Sequence, residues 1–107
     1  MIHRNIFENI PIDLPTELVE TLVEGAGFRM ERIVSRGHAT PEDFWYDQPQ
    51  NEWVIVLHGH AYLVFEGKED PVFMSAGDYL NIPAHVKHRV EWTDEDQETF
   101  WLAVHYD

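Results

Sequence analysis

From residue 28 onward the apolar positions recur at short, mostly alternating spacing, and turn residues interrupt them every few positions. Alternation with a period of two marks strands that show one apolar and one polar face. The runs predict strands over Phe28–Ser35, Phe44–Gln48, Glu52–Leu57, Ala61–Glu66, Pro71–Met74, Tyr79–Ile82 and Thr99–Tyr106. His58-Gly59 reads as a hairpin turn, and Gly67–Asp70 and Ser75–Asp78 as further turns. The pattern is different before residue 28. Leu14, Leu18 and Leu22, with Val19 and Val23, fall on one helical stripe that starts near Glu17 and stops at Gly25. A helix is therefore expected over residues 14–24, packed as a lid on a sheet. Residues 1–13 are expected to be an extended arm, with Ile6, Phe7 and Ile10 pinning it to the body or to a partner subunit. Many short strands with one helix give an all-β sandwich or small barrel.

Two polar residues interrupt apolar faces. In the segment after Pro83, the residues Ala84, Val86, His88, Val90 and Trp92 share one parity, and His85, Lys87, Arg89 and Glu91 share the other. A regular strand would set His88 alone on an apolar face. Glu52 heads a strand that is otherwise apolar, on the parity of Val54 and Val56. An inward carboxylate is costly unless a metal, a proton or hydrogen bonds compensate it.

Composition narrows the partners. A chain of 107 residues with net charge −13 is one domain that would repel phosphate backbones and anionic surfaces, so neither nucleic acid nor membrane is an expected partner. There is no cysteine, so any metal would need nitrogen and oxygen ligands. No apolar run reaches about 18 residues, and no basic segment leads into an apolar one at the N-terminus, so a cytoplasmic location is expected. Seven histidines are available. Of these, His58 and His60 flank a turn and are expected in solvent. His105, on the parity of Trp101 and Ala103, is expected in the core or an interface, and His38 lies in a loop.

Six residues separate Glu52 from Gly59. Gly77-Asp78 is followed by Ile82-Pro83 and then by His88. In these motifs the chain resembles the cupin superfamily over roughly residues 30–106. Its first motif ends in glutamate, six residues and glycine. Its second runs glycine, five residues, Pro-x-Gly, two residues, histidine. The resemblance implies a double-stranded β-helix barrel over residues 30–107, after an arm and helix over 1–29. It also implies a homodimer, for which the outer positions Trp53, Ile55 and Leu57 supply an apolar face. Cupins commonly hold a divalent ion with three histidines and a glutamate, and Glu52 and His88 match the glutamate and the last histidine. The paired-histidine slots fall on Gln48 and Tyr46 in one register and on Asp47 and Trp45 in the other, and His85 and Trp92 stand where glycine and asparagine are usual.

The expected metal set is thus Glu52 and His88 with Gln48 or Asp47, binding Zn, Fe, Mn or Ni, with Tyr46 or His85 as acid–base partner. Phe44, Trp45, Tyr46, Trp53, Trp92 and Trp101 could line a pocket for a small organic ligand, near the cations Lys87 and Arg89. Two functions stay open. One is a metal-dependent enzyme of dioxygenase, isomerase or decarboxylase type. The other is a non-catalytic small-molecule binding or sensing module with a degenerate or empty metal site.

Overall fold

In the computed structural model, which describes residues 1–107, the chain forms eight strands. They are β1 (Leu18–Gly25), β2 (Phe28–Ser35), β3 (Asn51–His58), β4 (His60–Phe65), β5 (Val72–Ser75), β6 (Tyr79–Ile82), β7 (His88–Thr93) and β8 (Thr99–Tyr106). A five-stranded antiparallel sheet, ordered β1-β2-β8-β3-β6, faces a three-stranded sheet ordered β5-β4-β7. Between them Val54, Val56, Ala61, Leu63, Met74, Ile82, Trp101 and Ala103 form one buried cluster. No helix is long and apolar enough to cross a membrane.

The helix expected over residues 14–24 is not formed; residues 18–25 are the edge strand β1. The ladder between β1 and β2 shifts register between Thr21 and Val23, which leaves Leu22 unpaired. That bulge turns Val19 to one face and Val23, four residues on, to the other, so the apolar spacing imitates a helix while the backbone is extended. The β-branched Val19, Thr21 and Val23 also suit a pleated edge better than a helix. The arm before β1 is strapped to β2 by arginines, as Arg32 donates to the carbonyls of Ile6 and Glu8 and Arg36 to those of Pro11 and Ile12. Phe7 packs edge-on against Phe100, with ring centroids 5.1 Å apart, and covers one end of the sheet's outer face.

The segment after Pro83 is not one continuous strand either. Residues 83–87 turn, with His85 at a φ of 65°, and β7 starts only at His88. Within β7, Val90 pairs with Leu63 but Trp92 pairs with Tyr62, so Glu91 is a bulge. The extra residue reverses the face. His88 and Thr93 are buried, whereas Trp92 is 37% exposed and rests on Tyr62. The expected strand over 44–48 is reduced to a bridge in which Tyr46 and His88 exchange backbone hydrogen bonds of 2.8 and 3.1 Å.

Gly59 is a corner rather than a hairpin turn, because β3 and β4 belong to different sheets. Its φ is 88°, and a Cβ there would lie 2.5 Å from Thr99 Oγ1 and 2.7 Å from the Glu98 carbonyl oxygen. Gly77 has a similar φ of 93° but open space around it. Gly59→Ala is therefore expected to lose roughly 2–5 kcal/mol, the sum of left-handed strain and overpacking. Gly77→Ala is expected to lose only the strain, about 1–2 kcal/mol. Urea unfolding of both variants checks this; equal losses would mean that the corner relaxes freely.

Candidate functional site

Strand parity collects polar side chains at one end of the barrel interior. β3 turns Glu52 inward with Val54 and Val56, and β8 turns His105 inward with Trp101 and Ala103. Glu52 and His105 are direct cross-strand partners. β2 contributes Glu31 and Ile33. The segment bridged to β7 contributes Tyr46 and Gln48, and Glu17 arrives from the chain just before β1. These residues line a cavity of about 190 Å³ whose remaining walls are apolar. No lysine or arginine lines it.

Two carboxylate–imidazole pairs sit in this cavity. Glu52 Oε1 is 3.4 Å from His88 Nε2, and their side chains are 11% and 8% exposed. His88 Nδ1 lies 2.9 Å from the Val86 carbonyl, which can only accept, so Nδ1 carries a proton and Nε2 is aimed at Glu52. Glu31 Oε1 is 2.9 Å from His105 Nε2, while its Oε2 accepts from Arg29 Nε at 3.0 Å. The Tyr46 ring lies over His88, with centroids 5.8 Å apart and planes 28° from parallel. Gln48 Oε1 is buried and has no hydrogen-bond partner.

Burial pulls the His88 pKa down, but the hydrogen-bonding and charge of Glu52 and the Val86 carbonyl outweigh it, so the net shift is upward. Burial raises Glu17 above the usual carboxyl value. Ser35 donates to it and the charge of His38 also opposes the rise, while the charge of Glu52 adds to it. Tyr46 is raised by burial, then by the charges of Glu17 and Glu52, which keeps its hydroxyl protonated as a donor.

This chain matches the cupin domain family over residues 32–105. The chain is a cupin. Among solved structures it is similar to a Ralstonia eutropha JMP134 protein provisionally named a mannose-6-phosphate isomerase. That match has 48% identity and a TM-score of 0.94 and covers 100% of this chain and 99% of the other. It is also similar to an RmlC-like cupin with a double-stranded β-helix fold from Methanocaldococcus jannaschii, at 23% identity and a TM-score of 0.70, covering 99% and 92%. An RmlC-like cupin from Desulfovibrio desulfuricans matches at 18% identity and a TM-score of 0.73, covering 98% and 96%. At these lower identities the likeness shows the shared barrel. No curated protein matches in sequence.

Within this cupin the register of the Tyr46–Gln48 segment selects among the expected ligands. Tyr46 and Gln48 are two apart and both face the cavity with Glu52 and His88. Asp47 lies between them with opposite parity and points out, where its Oδ1 is 2.8 Å from His85 Nδ1. His85 itself is 69% exposed. Neither Asp47 nor His85 belongs to the cavity, because one has the wrong parity and the other sits in a left-handed turn. Cupins commonly bind divalent metals, and this donor set fits that role poorly. It offers one imidazole, one carboxylate and the orphaned amide oxygen of Gln48. No three histidine, aspartate or glutamate side chains converge. His88 Nε2 is already turned onto Glu52.

Glu17, Glu31 and His105 had not been expected in the site. Glu31 shares the inward parity of Ile33, and His105 that of Trp101, so pairing those two strands would have revealed them. Glu17 gave no such signal, since it reads as a helix start. The pKa of Glu17 is higher folded than unfolded. Stability gained from its protonated form is present below the unfolded value and is lost as pH rises through the folded one. Glu17→Gln, which keeps an acceptor for Ser35, is therefore expected to raise the melting temperature at about pH 7.5, with the difference vanishing by about pH 4. A lower melting temperature at neutral pH would show that the ionised group is stabilising after all.

Proposed function

We propose that this cupin binds a small organic molecule inside the barrel, at the end where Gln48, Glu52 and His88 meet. The observation that carries it is the buried Gln48 Oε1 without a partner, at the polar end of a cavity whose other walls are apolar. An unsatisfied buried acceptor costs about 1–3 kcal/mol, and a ligand donor would offset that. The volume of about 190 Å³ suits a compact molecule; a dry cavity of about 150 Å³ holds benzene in another protein.

The Glu52–His88 pair favours a second, catalytic reading. A carboxylate facing an imidazole whose pKa is raised, with the Tyr46 hydroxyl as donor, is suited to moving a proton on a carbonyl compound, as an isomerase does. His85 takes no part in it, being outside the cavity. The metal-dependent version lacks a donor set, so no step is assigned to an ion. The name of the Ralstonia protein denotes action on a phosphosugar, but this cavity presents no lysine or arginine to receive a phosphate.

The outer face of the five-stranded sheet supports a homodimer. Where the arm stops, Met30, Trp53, Ile55, Leu102 and Val104 lie on one surface, and Tyr79, 65% exposed, stacks near Trp53. We assign a second copy of the chain to this patch. Light scattering is expected to give the mass of two chains, and Ile55→Glu the mass of one; a monomeric parent would sink the assignment.

Screening small organic compounds by ¹H–¹⁵N NMR is expected to give hits whose shifts cluster on β3, β7 and β8. Glu52→Gln should weaken them at least about tenfold, and Val19→Trp, which occludes the cavity wall, should abolish them. Hits that are carbonyl compounds should wash deuterium into the α-carbon if the pair is catalytic. Metal analysis of the same preparation should find well under one divalent ion per chain. Hits that ignore Val19→Trp would overturn binding in the barrel, and stoichiometric metal lost in His88→Ala would restore the metal site.

A further inference from the structure

The polar groups of the cavity are unbalanced in one direction. Its imidazole nitrogens with assigned contacts are already engaged: His88 Nδ1 with the Val86 carbonyl, His88 Nε2 with Glu52, and His105 Nε2 with Glu31. Both oxygens of Glu31 are taken, by His105 and Arg29. Glu17 uses one oxygen on Ser35, and Glu52 one on His88, which leaves a second oxygen on each. Gln48 Oε1 has no partner at all. The groups left for a ligand are therefore mostly acceptors, together with the Tyr46 hydroxyl and the amide N–H₂ of Gln48.

Charge points the same way. Glu31 and Glu52 each face an imidazole, Glu17 hydrogen-bonds only to a hydroxyl, and no lysine or arginine lines the cavity. An anion entering here would meet three carboxylates, no lysine or arginine, and imidazoles already turned onto Glu52 and Glu31. An ammonium carries three donors, no acceptor and one positive charge, and it is attracted to an aromatic face. We propose that the ligand of this cavity is a compact organic cation, a protonated amine, held by Glu17, Glu52 and Gln48 Oε1 beside the Tyr46 ring. Glu17 and Tyr46 then set the charge class of the ligand, while Glu52 and Gln48 place its N–H groups. The ionised state of Glu17 is disfavoured by burial and by the charge of Glu52, and a bound cation relieves both. This assignment rests on the binding of a small molecule in the barrel, as proposed above, and adds what the molecule must carry.

The test uses three probes of nearly equal shape, benzylammonium, benzyl alcohol and benzoate, with mannose 6-phosphate as a fourth. Each is titrated into the full chain at about pH 7.5 and followed by ¹H–¹⁵N NMR and calorimetry. Benzylammonium is expected to bind at least about tenfold tighter than benzyl alcohol, with benzoate and mannose 6-phosphate silent. Glu17→Gln is expected to remove most of that preference, its fold being checked by a parent-like ¹H–¹⁵N spectrum and by the raised melting temperature expected above. Benzoate or mannose 6-phosphate binding in the cavity as tightly as the amine would overturn the charge assignment and leave barrel binding standing. So would a preference for the amine that survives Glu17→Gln. If all four probes are silent but the broader screen yields a barrel ligand, a neutral or anionic ligand overturns the assignment and a cationic one upholds it. A blank broader screen removes barrel binding, and the cation with it.

Discussion

Burying carboxylates inside a small barrel is the constraint from which the site follows. An ionised group taken from water into the interior costs several kcal/mol unless charge and hydrogen bonds compensate it. The chain meets this in two ways. Glu52 and Glu31 each face an imidazole, His88 from the opposite sheet across the cavity and His105 from the neighbouring β8. Glu17 has only the Ser35 hydroxyl and the charge of His38 to offset its burial, and its pKa rises. Both pairs depend on strand register, because a one-residue slip would send Glu52 on β3 or His105 on β8 to the outer face. The register that builds the apolar core therefore also assembles the polar end, and neither can be altered alone.

Bulges set where that register changes. β1 bulges at Leu22, β7 at Glu91, and the ladder between β3 and β8 shifts around Leu57. Each inserts one residue and exchanges inside for outside. In β7 the exchange keeps His88 and Val90 on the cavity side while it expels Trp92 and brings in Thr93, whose hydroxyl donates to the His38 carbonyl. That bond, with those between Thr40 and Val90, fastens the long segment before Tyr46 along β7. The Tyr46–Gln48 segment then continues the line, as the His85 N–H donates to the Gln48 carbonyl at 2.8 Å. The cavity wall opposite β3 is thus made of chain with almost no regular strand of its own.

These features explain what the sequence disclosed. β2, β3, β6 and β8 were legible almost to the residue because their alternation is unbroken and Gly or polar clusters bound them. Glu52 and His88 were legible because spacing against Gly59, Gly77 and Pro83 placed them on inward strands. The bulges were not legible, since an inserted residue resembles any other. The bulge at Leu22 gave β1 a helical spacing, and the one at Glu91 put Trp92 on the wrong face. The choice between Gln48 and Asp47 depended on pairing with His88, a contact between residues some forty apart. Glu31 and His105 lay on predicted strands, but their meeting required knowing that β2 and β8 are neighbours.

A shared barrel does not name a reaction, since cupin-like interiors differ in the few side chains that face inward. In this chain those side chains give a consistent electrostatic picture at two scales. On the sequence, the net charge of −13 argues only against phosphate backbones and anionic surfaces as partners. The cavity adds that the interior carries the same sign as the surface, with no lysine or arginine to reverse it. A protein whose surface field and binding site agree in sign draws the same class of ligand toward the opening as it holds inside. Had the cavity contained an arginine, the acidic surface would have opposed its own ligand. On the proposed reading, that agreement makes the charge of the ligand a property of the whole chain, while the apolar walls from β3, β4 and β8 would set its shape.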